Sequence, residues 1–503
     1  MRLRLRPLAA PLALVAILAV AGEGARADWR FFEQGGFALD AGLAAGTGFF
    51  ASPNAQFGAG TYTQNNDRPI AKNPVWFEGF VEPQLKGSFV SANAGEFYGA
   101  ISAVGAMTRG DGDANLNSLT FGNPQHIAVE NAYVGWKSGE VIGGLPNSAL
   151  DLRAGRQPFQ VGDAFLVGDG TFDAGPRAAY YLSPRIAFDG LGVASVNTDP
   201  VRGDLFLLRS TSNQTLLDGL DQPRTDFAGV NVEWFESKPD GEGRFAYADR
   251  ARYVGFMGLF AYNADSAGCF STASCTAGPA AITSSSDRKG LAVMSARMGG
   301  AMIPALPDLS LYGEYAYEYN GRDGNHVRAN AWYVEPGWTF SAAPWTPRVF
   351  YRYSHFSGDP NPNDDTKQSF DPLFFSTGRG YGTWLMGEVA GEYFTFNSNQ
   401  NAHQLGISAN PTESVTLNAL FYSFFYAQPG QFGGTASHMM DEVDFIAQWS
   451  ITKSLSLAGA VGIAWSGKGA RQFLQGATSG FPGSSTTFDR PWTVTEITLT
   501  YTF

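Results

Sequence analysis

Leu455-Ser-Leu-Ala-Gly-Ala-Val-Gly-Ile-Ala-Trp465 decides the fold class. Its odd positions carry Leu455, Leu457, Val461, Ile463 and Trp465, and its even positions carry only Ser, Ala or Gly. A period of two belongs to a strand whose faces meet different surroundings, whereas a helix would repeat every 3.6 residues. The segment before it repeats the order, with Val443, Phe445, Ala447 and Trp449 on one face and Glu442, Asp444 and Gln448 on the other. Leu309 to Tyr319 places Leu309, Leu311, Tyr315, Tyr317 and Tyr319 opposite Glu314 and Glu318. A soluble sandwich would alternate as well, with its apolar face turned to a core. The rest of the chain decides between the two.

The chain has 503 residues, of which 16% are charged and 14% aromatic, with 61 glycines. That is too aromatic for disorder and too sparsely charged for an ordinary soluble enzyme. Only Pro7 to Gly22 approaches the roughly 20 apolar residues of a membrane helix, and it lies at the N-terminus. Arg2, Arg4 and Arg6, the apolar run Leu8 to Ala21, and Ala25-Arg-Ala27 before Asp28 read as a cleavable secretory signal. Residues 1–27 are therefore expected to be removed, leaving 28–503 as one domain without an internal linker. The formal charge of −12 becomes more negative once four arginines leave with the signal, which excludes nucleic acid as a partner. At the other end, Trp492-Thr-Val-Thr-Glu-Ile-Thr-Leu-Thr-Tyr-Thr-Phe503 is a strand ending on an aromatic residue. It resembles the terminal strand by which Gram-negative outer-membrane barrels are recognised by the assembly machinery.

Export, abundant glycine and aromatic strand ends together predict an all-β transmembrane antiparallel barrel with its apolar face toward outer-membrane lipid. At one strand per roughly 26–30 residues the chain holds about 18 strands, with 16 as the lower count. A barrel of that width leaves an aqueous channel. Thr452-Lys-Ser454 and Asn410 to Ser414 read as short periplasmic turns, with similar exits at Leu150-Asp-Leu152 and Leu309-Ser-Leu311. Asn263 to Lys289, Ser357 to Gly380 and Ser466 to Phe488 read as long external loops, and Trp384 to Phe396 joins the second of them. Cys269 and Cys275, with five residues between them in one such loop, suit a disulfide in an exported chain. No histidine or carboxylate pattern calls for a metal or another cofactor.

Two segments carry a family resemblance. Leu152-Arg-Ala-Gly-Arg-Gln-Pro-Phe-Gln-Val-Gly-Asp-Ala-Phe-Leu-Val-Gly168, with Ala187-Phe-Asp-Gly190, resembles the Gly-Arg-Gln segment of the alginate-export family of porins. Phe370-Asp-Pro-Leu-Phe-Phe-Ser-Thr-Gly-Arg-Gly-Tyr-Gly382 is similar to that family's Phe-Asp-Pro-Leu-Phe loop. Ala164-Phe165 and Phe375 depart from the pattern, where polar or basic residues and a proline would be expected. The resemblance implies an 18-stranded monomer that passes anionic polysaccharide outward, helped by arginines in the lumen.

The lumen can be read from parity alone. Leu150, Leu152 and Ala154 share the lipid face, which turns Asp151 and Arg153 inward. Arg156 has outward parity and reaches the lumen only through a bulge. Val129 and Tyr133 should face out and Glu130 in, while Val349, Tyr351 and Tyr353 turn Arg348 and Arg352 inward. Arg250 and Arg252 are expected inward, opposite Tyr253, Met257 and Leu259. An arginine facing the bilayer midplane would cost roughly 2–4 kcal/mol, which sets the sense of these assignments. The candidate contacts for an anionic carbohydrate or other small anion are thus Arg153, Arg156, Arg348 and Arg352. Glu130, Glu314 and Glu318 would shape the field beside them. A general or carboxylate-selective porin for small solutes is the alternative. A barrel hydrolase or an adhesin ranks behind both, because the five histidines are scattered and neither a Gly-x-Ser-x-Gly elbow nor a His-Glu-x-x-His motif occurs.

Overall fold

The computed structural model describes residues 29–91, 93–140, 146–170, 178–182, 184–198, 200–211, 224–236, 251–264, 288–322, 325–376 and 384–503. The first strand, β1 (Trp29–Gln34), is an appendage that pairs only with the start of β2 (Phe37–Ala51). From β2 onward each strand pairs antiparallel with the next: β3 (Val75–Ser91), β4 (Gly95–Gly110), β5 (Gln125–Ser138), β6 (Leu150–Gln157) and β7 (Phe188–Asn197). The wall continues through β8 (Val201–Thr211), β9 (Arg224–Phe235), β10 (Tyr253–Ala264), β11 (Ala292–Gly299), β12 (Leu309–Arg322), β13 (Asn325–Thr339) and β14 (Arg348–Phe356). The two-residue β15 (Thr366–Lys367) sits in a loop beside β13 and lies outside the ring. Then β16 (Gln400–Thr412) pairs directly with β14, followed by β17 (Val415–Tyr426), β18 (His438–Ser450), β19 (Leu455–Ser466) and β20 (Trp492–Thr502).

β20 returns to β2 and closes an antiparallel barrel of eighteen strands. The seam ends where Phe503 and Leu43 exchange backbone hydrogen bonds of 2.8 and 3.0 Å. Closure leaves no barrel edge unpaired, which is the condition for a sheet in lipid. The outward residues are large and apolar, and exposed Phe89, Phe97, Trp234, Trp338 and Trp449 mark the periplasmic strand ends. That ring matches the aromatic girdle of membrane barrels. Periplasmic turns such as 413–414 and 451–454 are short, and the connections at the opposite end are long except the two residues 323–324 between β12 and β13.

Several of those long connections fold into the barrel instead of standing outside it. The β2–β3 connection enters through a turn at Ala55–Gly58, and Gln56 Nε2 donates to the carbonyls of Ala114 at 3.0 Å and Tyr393 at 3.3 Å. The β6–β7 and β14–β16 connections bond to each other, Phe374 N to Leu166 O at 2.9 Å and Gly168 N to Phe374 O at 2.7 Å. Phe159, Phe165, Phe370, Phe374, Trp384, Val389, Tyr393 and Phe394 are buried there against wall residues Phe50, Trp76, Phe206, Tyr333, Tyr422 and Trp492. Burying one such aromatic contributes roughly 1.5–3 kcal/mol, so the loops hold one another in place. The expectation of a purely aqueous interior is corrected accordingly: part of the lumen is a packed aromatic core. Trp384 to Phe396 does belong to the β14–β16 connection, but it lies inside the barrel and includes a helical turn at Gly387–Gly391. The β19–β20 connection holds a short helix, α1 (Lys468–Ala477).

The packed interior also reverses one parity reading. Tyr253, Met257 and Leu259 face inward and are buried, while Val254, Phe256 and Phe260 are exposed on the outer face. Both faces of β10 are apolar, so hydrophobicity alone could not choose between them. Arg252 lies before this strand and pairs with Glu236 in the β9–β10 connection, not in the lumen. Arg250, Cys269, Cys275 and the signal segment lie outside the described residues.

Candidate functional site

The inner wall carries its charges in two arrangements. The first is arginine paired to carboxylate. Gly155 adopts φ +128, a conformation that L side chains rarely take, and β6 slips its register between Gly155 and Gln157. This bulge turns Arg156 inward, as the re-aiming of a side chain requires. Its guanidinium lies 3.3 Å from Glu130 and 3.5 Å from Asp189. Arg185, from the infolded β6–β7 connection, approaches the same Glu130 at 3.7 Å and meets His126 Nε2 at 3.0 Å. On β5, Glu130 and Asn131 are both buried, so parity shifts between them and Tyr133 faces the lumen beside Tyr98. The expected outward placement of Tyr133 is thereby corrected.

On β14, Arg348 and Arg352 lie on the inner face and share one carboxylate from β13. Arg348 Nη2 is 2.8 Å from Glu335 Oε1, and Arg352 donates from Nε to Oε2 at 2.8 Å. Glu335 is buried, whereas the Arg348 side chain remains 24% exposed. The Arg352 guanidinium sits 4.8 Å above the Trp384 ring of the infolded loop. A carboxylate shared between two guanidinium groups leaves one positive charge uncompensated. Arg153 is also on the inner face, where it lies 5.9 Å from the Phe159 ring. Among the described residues it makes no ion pair, and its Nε has no hydrogen-bond partner.

The second arrangement is carboxylate to backbone. Glu78 Oε2 accepts from Tyr181 N and Leu182 N, both at 2.9 Å. Glu130 Oε1 accepts from Ile186 N at 2.9 Å and Ala187 N at 2.8 Å. Glu318 accepts from Asp371 N at 2.9 Å, and Asp371 in turn holds Arg288 through bonds of 2.6 and 2.7 Å. Glu442 accepts from Val389 N and Ala390 N, one on each oxygen, at 2.8 Å. Wall carboxylates therefore clip the infolded loops through N–H groups that would otherwise be buried unsatisfied. Glu314 differs, accepting from Ser295 Oγ beside Arg297, which pairs with Glu233.

The four candidate contact arginines, Arg153, Arg156, Arg348 and Arg352, and the acids Glu130, Glu314 and Glu318 lie on the inner face, whereas Arg252 does not. Their groupings were not anticipated: Arg156 with Glu130, Arg348 with Arg352, and Glu318 with the Phe370-Asp-Pro-Leu-Phe loop. Glu335 and Glu78 are the wall residues that the parity reading passed over, and Glu442 was read inward but not as a loop clip. Their signal was present in the inward parity of Glu442 and Glu335, but nothing local marked them as loop clips.

A family profile described as Alginate export matches residues 122–472. No curated protein matches in sequence. Among solved structures, OccK9 (OpdG) of Pseudomonas aeruginosa aligns with a TM-score of 0.52 at 10% identity, covering 92% of this chain and 98% of that one. OccAB2 of Acinetobacter baumannii aligns at 0.50 with 10% identity, over 92% and 98% of the two chains. OpdQ of Pseudomonas aeruginosa aligns at 0.50 with 8% identity, over 92% and 97%. At such identities the likeness shows a shared fold.

Proposed function

Because this chain belongs to the alginate-export family of outer-membrane porins, we propose that it is an aqueous channel for anionic carbohydrate, not an enzyme. It sits in the outer membrane of a Gram-negative cell. The observation that carries the anionic reading is an asymmetry of exposure. Glu78, Glu130, Glu318, Glu335 and Glu442 are withdrawn behind loops and partners, whereas Arg348 and Arg153 keep surface toward the lumen. A passing carboxylate then meets guanidinium before it meets carboxylate. Arg348 can offer N–H donors to a uronate while Arg352, buried behind it, holds the shared Glu335, and Arg153 has none of its donors committed to an acid. Contacts of this kind, spread over several sites, are strong enough to admit a solute and weak enough to release it. The infolded loops favour a second reading, a carboxylate-selective porin for small solutes, since packed aromatics narrow the route for a polymer.

Planar-bilayer conductance of the purified barrel, with oligouronates and neutral oligosaccharides as blockers, tests the proposal. Block by long oligouronates at lower concentration than by neutral chains of equal length is the expected result. Equal block by both would remove the anionic reading. Block by single uronates with no gain on lengthening would favour the small-solute porin.

A further inference from the structure

Around the helical turn of the β14–β16 connection, carboxyl groups gather. The turn itself brings Glu388 and Glu392. From the wall, β18 supplies Glu442 and Asp444, β20 supplies Glu496, and β3 supplies Glu78. β19 contributes no charge: it presents Gly462, where a Cβ would stand 2.7 Å from that of Glu388, so glycine lets the turn seat. β17 adds the phenol of Tyr422, and the neighbouring connections add Asp113, Asp163 and the phenol of Tyr180. Tyr180 Oη donates to Glu392 O at 2.7 Å. Arg352, over Trp384 of the same connection, is already committed to Glu335.

Carboxylates this close in a low-dielectric interior cannot all be ionised. Among the described residues no three of these acids converge as metal ligands would. Protons can neutralise them. We propose that Trp384 to Phe396 is a proton-held gate, docked in the lumen while its acids share protons with the wall and released when they ionise. The proposal goes beyond the channel reading by assigning what opens the route. Burial, with repulsion from Glu388, Glu78 and Glu442, pushes the Glu392 carboxyl well above the usual carboxylate range. A group that binds its proton more tightly when docked than when exposed to water stabilises the docked state at low pH. That stabilisation is lost as pH rises through the docked-state pKa, so alkaline conditions should open the gate.

Hydrogen exchange of peptides spanning 384–396, measured on the intact barrel in micelles at about pH 6 and about pH 9 and corrected for intrinsic rates, reads docking directly. Conductance over the same range reads opening. The expected result is faster corrected exchange in that segment at the higher pH, with conductance rising in step. The double variant Glu388→Gln, Glu392→Gln should keep slow exchange at both values, and the wall variant Glu496→Gln should shift the response to higher pH. Unchanged exchange in the native protein, or a full pH response in the double variant, would overturn the gate. A barrel whose exchange responds but which passes no current would overturn the channel reading and leave the gate standing.

Discussion

The arginine wall, β6 with Arg153 and, far around the ring, β14 with Arg348 and Arg352, and the acid wall, β18 and β20 with Glu442, Asp444 and Glu496, are built from the same strand alternation, yet they treat charge in opposite ways. On the arginine wall, Arg348 and Arg352 share the buried Glu335, and Arg348 and Arg153 keep surface toward the lumen. On the acid wall, Glu442 turns to backbone N–H groups of an infolded loop, and it, Asp444 and Glu496 are all buried beneath that loop. An inward charge in a wide barrel can therefore meet solute or fasten a loop. The lesson is that burial, not parity, separates the two.

The largest expected effect erases the comparison by losing both walls together. Deleting Phe503 removes the hydrogen bonds that end the seam at Leu43. The yield of heat-modifiable barrel should collapse while export to the periplasm persists, as fractionation and gel mobility would report. Next, Glu442→Ala breaks the acid wall alone by leaving two buried N–H donors without an acceptor. At about 1–3 kcal/mol each, the loss is enough to undock the loop. Single-channel conductance should rise and corrected exchange at 384–396 should quicken, with the barrel still folded.

Gly155→Ala acts on the arginine wall through its bulge. The added Cβ would lie 2.3 Å from Ala132 O at a φ of +128, a strain of order 1–3 kcal/mol. Denaturant unfolding should reveal the lower stability, while ion selectivity moves little because Arg156 is buried against Glu130. The smallest effect sharpens the contrast. Glu335→Gln frees Arg348 and Arg352 from their shared counter-charge. A unit charge a few ångströms away in wet surroundings is worth about 1 kcal/mol, so anion-over-cation permeability should rise about fivefold in a salt gradient.

Strict alternation made most of the wall legible before any coordinates. Glu314 and Glu318 against three exposed tyrosines, and Arg348 and Arg352 against Tyr351, needed only a period of two. The reading failed where that period breaks or where both faces are apolar. The bulge at Glu130–Asn131 sends Tyr133 inward, and no residue type announces it. β10 was read in reverse because Tyr253, Met257 and Leu259 pack on infolded loops, so their hydrophobicity reports a protein core and not lipid. The clips escaped for a related reason. A glutamate that will accept two backbone N–H groups looks, in sequence, like one that will face water. The Phe370-Asp-Pro-Leu-Phe resemblance located one clipped loop, since Asp371 is the residue held by Glu318. It carried no hint that the loop lies inside.

Reversal potential in a potassium chloride gradient, compared between the native barrel and the double variant Arg348→Glu, Arg352→Glu, tests the central claim most directly. The native protein should prefer anions, and the double variant should lose that preference or turn to cations, while unfolding at a lower denaturant concentration because buried Glu335 loses both its partners. An unchanged reversal potential in a folded double variant would contradict the account, and would make these arginines part of the wall's internal bonding alone.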